Sequence, residues 1–277
     1  MTELKKAPWD LSVAEQKYKP KEFPLVSIII PTSNAAQLIG PTLESLLNQD
    51  YPGFEIIIVD NSQDRTLEVI KNFHNNKLKV YSVAQSKRYE MLNKGLSQAK
   101  GEYVNFLFPG DYYIFHETLK QMMLLALEHN KPQLVYCGTL LRDAHSEAKI
   151  LFRELSLELL KKGQQPTSLQ SCWFQTKFIK EIGKFNPEYS MRGGFDLLCR
   201  FCLHKGTFSS VNRVLTDYDL RAVTRQMVAT HFWETMKTLY KYFGLSTVIL
   251  WLFFHQKDWK RYLKLWLHSL RVAFSGP

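Results

Sequence analysis

Four cysteines, at 137, 172, 199 and 202, are too few to frame a chain of 277 residues with disulfides. Cys199 and Cys202 form a C-x-x-C, but their setting, L-L-C-R-F-C-L-H, is an apolar helical run without turn chemistry. No second C-x-x-C or His pair stands at finger-like spacing, so the expectation is buried, reduced thiols in a reducing compartment. The N-terminus, M-T-E-L-K-K-A-P-W-D, lacks the apolar core of a secretory signal, which points to a cytoplasmic protein. No apolar run reaches the ~20 residues that a bilayer-spanning helix needs. Internal repeats are missing too.

Acidic residues are in short supply. Asp and Glu number 26 against 36 Lys and Arg, a formal net charge of +10. Such an excess suits an anionic ligand or an acidic surface, whether nucleic acid or a membrane leaflet. No basic run is long enough to choose among these by itself, and no motif supports nucleic-acid binding. What the chain does have is 45% apolar content, enough for one large domain and an appendage.

Residues 1–21 are polar and Lys-rich and read as a flexible arm. Regular patterning follows. L-V-S-I-I-I (25–30) and F-E-I-I-I-V-D (54–60) are short continuous apolar runs, as strands buried on both faces should be. L-K-V-Y-S-V (78–83) and E-Y-V-N-F-L-F (102–108) supply two more strands. Helical spacing lies between them, in Leu38, Leu43, Leu46 and Leu47 and again in 89–100. The interval predicts a doubly wound, mostly parallel α/β sheet. Further on, the pattern predicts a helix over 115–129, strands over 133–139 and 209–218, an irregular stretch to about 170, a helix over 195–204, and helix throughout from Thr224. Ligands of such sheets bind beyond the carboxyl ends of the strands. Polar clusters stand at three of those ends: Thr32/Asn34, Asp60/Asn61/Ser62 and Pro109/Gly110/Asp111. One cluster alone would be ordinary turn chemistry, but three on one edge mark a site.

The segments V-S-I-I-I-P-T-S-N, E-I-I-I-V-D-N-S-Q-D and M-L-N-K-G-L-S-Q-A-K-G-E-Y-V-N-F-L-F-P-G-D together resemble family 2 glycosyltransferases of the GT-A fold. E-I-G-K-F-N-P-E-Y and G-F-D-L-L-C-R-F resemble that family's second half. The resemblance runs from about residue 24 to 222. It implies a domain over 22–222, beyond which the residue pattern predicts a basic, aromatic-rich helical extension over 223–277. It also implies transfer of a sugar, with inversion, from a nucleotide-diphosphate donor (a UDP-sugar favoured) to a hydroxyl acceptor in polysaccharide or glycolipid assembly at the cell envelope.

By the same resemblance, Thr32 and Asn34 contact the nucleotide, Asp60 accepts a hydrogen bond from the base beside Asn61, and Asn93 lines the donor pocket. Asp111 matches the last acid of the metal-binding loop, and Asp196 lies where the catalytic base is supplied. The chemistry asks for two acids: one to take the acceptor's proton, and one to hold a divalent cation, Mg²⁺ or Mn²⁺, against the departing diphosphate. The chain departs from the family pattern at both places. Phe108 stands where the metal loop usually has its first Asp, and Gly193-Gly194 stand where an acidic pair usually precedes the helix. Asp111 is therefore open to a second reading as a turn residue, and Asp196 as a helix N-terminal aspartate. Glu188 is a second choice for the base. Arg88 and Arg221 are cations placed to screen a diphosphate, or else solvated surface charges.

In the tail, 240–255 is apolar but short of a membrane span, and 260–274 sets Tyr262, Leu263, Trp266, Leu267 and Leu270 at helical spacing among Lys260, Arg261, Lys264 and Arg271. That is the composition of an interfacial helix. Packing on the catalytic domain or on another subunit fits equally well. A lipid-linked acceptor would make contact with the inner membrane face useful. The departures at Phe108 and Gly193-Gly194 keep a second overall reading open, a non-catalytic nucleotide-sugar-binding or assembly partner.

Overall fold

The structure, a computed structural model, describes residues 17–142, 148–220 and 224–254. Most of the expected arm, Arg221 and the segment 255–274 lie outside the described residues. The first half alternates β1 (Val26–Thr32), α1 (Ile39–Leu47), β2 (Phe54–Asp60), α2 (Thr66–Lys71), β3 (Leu78–Ser82), α3 (Arg88–Gln98) and β4 (Tyr103–Phe106). The second half runs β5 (Tyr112–Tyr113), α4 (Thr118–Glu128), β6 (Leu134–Arg142), β7 (Lys149–Leu151), α5 (Leu157–Lys161), β8 (Cys172–Gln175), α6 (Thr176–Glu181), α7 (Gly193–Leu203), β9 (Phe208–Asp219) and α8 (Arg225–Phe254).

The strands form one sheet in the order β3-β2-β1-β4-β8-β6-β9-β5, with β7 on β6. β1 is parallel to both β2 and β4, β2 is parallel to β3, and the long β6–β9 ladder is parallel as well. Every residue of β1 and β2 is buried. The strand period of two explains why both faces are apolar: Ile29 and Ile57 point into one core, whereas Ile28, Ile30, Ile56 and Ile58 point into another. α3 and α7 cover the first face through Leu92, Leu96, Phe195 and Leu198. α1 and α4 cover the second through Leu43, Leu46, Leu119 and Met122.

Two features depart from the periodicity reading. The stretch 172–175 is a strand, β8, inserted antiparallel between β4 and β6; its four residues are too few for a pattern to emerge. The tail helix is also interrupted: Gly244 has φ 79°, ψ 177°, which no helix accommodates. α8 is not a detached appendage, because Leu239, Val248 and Trp251 are buried in the same core as Leu92 and Phe195. Cys137, Cys172 and Cys199 are buried free thiols and Cys202 is half-buried.

Candidate active site

At the carboxyl ends of β1 and β2 the first two polar clusters are stitched into one shelf. Thr32 and Asp60 are register partners, and Thr32 Oγ1 donates to Asp60 Oδ1 at 2.6 Å. Ser62 Oγ donates to the same oxygen at 2.7 Å, and Ser62 N donates to Oδ2 at 3.2 Å. Oδ2 takes one donor in this arrangement, and a carboxylate oxygen has room for two. Asn34 turns the chain at φ 50°, and its Oδ1 accepts from Gln63 N at 2.8 Å. Asn61 reaches towards α3, accepting from Gln85 N at 3.1 Å and donating to Ser86 O at 3.3 Å.

The third cluster is organised more tightly. Gly110, at φ 96°, supplies the left-handed residue of the turn after β4. Thr42 locks that turn by accepting from Gly110 N and donating to Asp111 O, both at 2.9 Å. Asp111 is 2% exposed. Its Oδ2 accepts from Gln170 Nε2 at 2.6 Å, and its Oδ1 accepts from Asp219 N at 2.9 Å. Gln170 is itself positioned by the buried Asn105, whose Nδ2 donates to Gln170 O at 2.9 Å. Burial pushes the Asp111 carboxyl up to about 7; the charges of Asp217 and Asp219 act in the same direction, against the two hydrogen bonds.

Asp217, Asp219 and Arg142 are the residues that sequence reasoning missed. Arg142 forks onto the buried Asp217 at 2.6 and 2.7 Å and approaches Asp219 Oδ2 to 4.0 Å. The signal was present in T-D-Y-D at the end of β9, where the period of two sets both acids on one face.

Asp111 and Asp219 border a cavity of about 560 Å³. Arg88 and Tyr89 at the start of α3, Arg153, residues of the loop 162–170, Arg192 and Gly194 at the start of α7, and Met227, His231 and Trp251 of α8 are among the residues that form its walls. Arg88 also lies over the Phe108 ring at 5.1 Å. His231 is held neutral, its imidazole lowered to about 3 by burial and by the Arg192 charge. Thr32, Asn34, Asp60 and Asn61 do not border this cavity, so the shelf and the cavity do not coincide.

Several residues expected at the site are elsewhere. Asp196 is fully buried, with Oδ2 paired to Arg200 at 2.8 Å and Oδ1 accepting from Tyr242 Oη at 2.8 Å and Lys241 Nζ at 3.3 Å. It does not line the cavity, and its oxygens tie α7 to α8 instead of facing a substrate. Gly193 explains the missing acid beside it: a Cβ there would stand 2.6 Å from the Tyr89 ring. Gly193 N donates to Tyr89 Oη at 3.0 Å, so the phenol fills the space a carboxylate would need. Asn93 also lies outside the lining, exchanging hydrogen bonds with Phe185 O at 2.8 Å and Phe185 N at 3.0 Å. Glu188 is a surface residue paired with Lys237 at 3.0 Å.

A divalent cation fits this donor set in part. Asp111 supplies a hard oxygen at one rim, and a cation there would offset the cost of charging this buried carboxyl. Among the described residues no three His, Cys, Asp or Glu side chains converge on one point. The rest of the shell would therefore come from diphosphate and water.

Comparison with known proteins adds three findings. The model of the family described as "Glycosyl transferase family 2" matches residues 27–181. An uncharacterized glycosyltransferase of Rickettsia typhi is 32% identical over 200 residues, 71% of this chain, and this chain spans only 57% of that relative's length. A PGL/p-HBAD biosynthesis glycosyltransferase of Mycobacterium tuberculosis is 26% identical over 234 residues, 82% of this chain and 81% of its own. Among solved structures, Staphylococcus aureus TarS 1-349 in complex with UDP-GlcNAc has a TM-score of 0.64 at 24% identity, covering 78% of this chain and 65% of TarS. Mannosyltransferase PcManGT of Pyrobaculum calidifontis, in complex with GDP-Man and Mn²⁺, has a TM-score of 0.62 at 17% identity, covering 89% and 76%. At these identities the two structures establish the shared fold.

Proposed function

Because the chain belongs to glycosyl transferase family 2, we propose that it moves a sugar from a nucleoside-diphosphate donor to a hydroxyl acceptor, with inversion at the anomeric carbon. The observation that carries this reading is Asp111, a buried carboxylate that follows the carboxyl end of β4 and borders the cavity. A nucleotide on the shelf would meet Asp60 with its base, a UDP-sugar being favoured, and Thr32, Asn34 and Asn61 around it. Its diphosphate would then lie towards Arg88 and Asp111. The fold shared with structures that hold UDP-GlcNAc and GDP-Man supports that placement.

In the transfer step the acceptor oxygen bonds to the anomeric carbon as the bond to diphosphate breaks, and the hydroxyl proton needs a base. We assign that proton to Asp219, which borders the cavity, and not to Asp196, which does not. Asp111 would hold Mg²⁺ or Mn²⁺ together with diphosphate and water oxygens, and such a cation offsets the charge that develops on the leaving group.

The acceptor is read as lipid-linked, with the protein peripheral at the inner membrane face. No helix of the described residues is long and apolar enough to cross a membrane. After Gly244, however, α8 exposes Leu245, Ile249, Leu250, Phe253 and Phe254. Their spacing puts them along one side of the helix, and the basic segment 260–274 follows in the sequence. A homo-oligomer through the same face is the alternative.

The sequestered Asp196 and the lack of a three-ligand cluster among the described residues favour a second reading, a nucleotide-sugar-binding partner without turnover. A thermal-shift screen of nucleotide sugars with and without Mn²⁺, followed by an assay for released nucleoside diphosphate, separates the two. Stabilisation that Mn²⁺ enhances, with release on adding acceptor membranes, is expected. Binding without release supports the second reading, and no shift with any nucleotide sugar removes both.

A further inference from the structure

Four consecutive backbone N–H groups at the entry to α7, from Ser190 to Gly193, are taken up by two side chains of other helices. Glu234 of α8 receives three of them: Ser190 N donates to Oε1 at 2.6 Å, and Met191 N and Arg192 N donate to Oε2 at 2.8 and 2.7 Å. Gly193 N donates to Tyr89 Oη at 3.0 Å, and that hydroxyl donates in turn to Met191 O at 3.0 Å. Successive N–H groups that converge on one point form a concave nest for an anion, and the start of α7 adds the positive end of its dipole. A carboxylate matches both.

The segment held in this way is part of the cavity wall. Met191, Arg192 and Gly194 border the cavity, whereas Glu234 does not. The Arg192 side chain carries the constraint further, donating to Gln165 Oε1 at 2.5 Å and to Gly163 O at 2.8 Å, and both of those residues border the cavity too. Other contacts of α8 lie at the ends of the segment: Lys237 pairs with Glu188 at 3.0 Å, and Lys241 and Tyr242 reach Asp196 at 3.3 and 2.8 Å. Glu234 acts between them, on the residues at the cavity. We propose that Glu234 is a positioning residue for sugar transfer: by fixing the backbone of residues 190–192 it sets where the Met191–Gly194 wall and the attached 163–165 turn stand around the reacting groups. The proposal rests on the reading of this cavity as the place of transfer. The nucleotide should feel Glu234 less, because the side-chain hydrogen bonds of Thr32, Asp60 and Asn61 run among themselves and to Ser62, Gln85 and Ser86.

The test compares Glu234→Ala, Glu234→Gln and, as a control that breaks a neighbouring contact of the same helix, Lys237→Gln. Transfer is read as nucleoside diphosphate released from UDP- and GDP-sugars with Mn²⁺ and a bacterial lipid extract. Glu234→Ala should lower the rate at saturating donor roughly a hundredfold, the cost of a wall about 1 Å out of place, and keep UDP affinity within about twofold of wild type. Glu234→Gln, which keeps one acceptor oxygen, should fall between the two, and Lys237→Gln should match wild type. Leu239, Val248 and Trp251 keep α8 in the core, so the alanine variant should fold; if it does not, the glutamine variant, of the same size, carries the test. Acetate titrated into Glu234→Ala should refill the nest, restoring both the rate and the protection of the 190–192 amides from hydrogen exchange, with no effect on wild type. An alanine variant as fast as wild type would overturn the proposal. So would a loss shared by Lys237→Gln, or a rate and an exchange pattern that both ignore acetate. Wild-type protein that releases no nucleoside diphosphate would overturn the transfer reading, and the role of Glu234 with it.

Discussion

Replacing Asp111 by asparagine should make the ligand-free protein more stable at pH 8 and leave it no more stable at pH 5. The carboxyl rises from its ordinary value of 3.8 to about 7 because it is buried beside Asp217 and Asp219. The native state thus holds this proton more tightly than the unfolded chain does. Its contribution to stability is complete below about pH 4, declines as pH climbs through 7, and is gone above that. With about 1.4 kcal/mol per pKa unit, the charged form costs the native state about 4 kcal/mol at pH 8. Asparagine removes that penalty but spoils one of two accepted hydrogen bonds, from Gln170 or from Asp219 N, a loss of about 1 kcal/mol. A net gain of about 2–3 kcal/mol corresponds to a melting temperature roughly 5–10 °C higher in a protein of this size. The assay is thermal unfolding of both proteins from pH 5 to pH 8 in metal-free buffer. Wild-type and variant curves that stay parallel across this range would refute the electrostatic account of the rim. Adding Mn²⁺ with UDP should reverse the order, since only the wild type keeps the carboxylate that the cation requires.

Asp196→Asn should lower stability by about 3–5 kcal/mol, because it leaves Arg200 and Lys241 without the buried carboxylate that holds them. A variant as stable as wild type that binds donor and fails to transfer would instead return Asp196 to catalysis. Replacing Phe253 and Phe254 together by serine, at positions 76% and 75% exposed, should abolish flotation with phosphatidylglycerol vesicles while the melting temperature is kept. Equal flotation of both proteins would assign membrane contact to another surface, and a change of oligomeric state in the variant would favour the subunit interface.

The layered sheet was legible because it is written in local periodicity. The apolar runs of β1 and β2 and the helical spacing around them need no distant partner to be recognised, and their carboxyl ends necessarily share an edge. Asp111 was legible for the same reason, as a polar residue at the end of a strand. Its chemistry was not: the carboxylate is raised by burial and by the nearby charges of Asp217 and Asp219, and it is oriented by hydrogen bonds from Gln170 and from the backbone of Asp219, which lies 108 residues away and arrives through the pairing of β5 with β9. Asp196 shows the converse. Its motif and its place in the first turn of α7 suggested a base, but Lys241 and Tyr242, from a helix 45 and 46 residues further on, draw it into the core. A motif specifies which side chain stands at a position. What that side chain touches depends on long-range packing, and for a carboxylate the neighbours decide both its charge and whether a substrate can reach it.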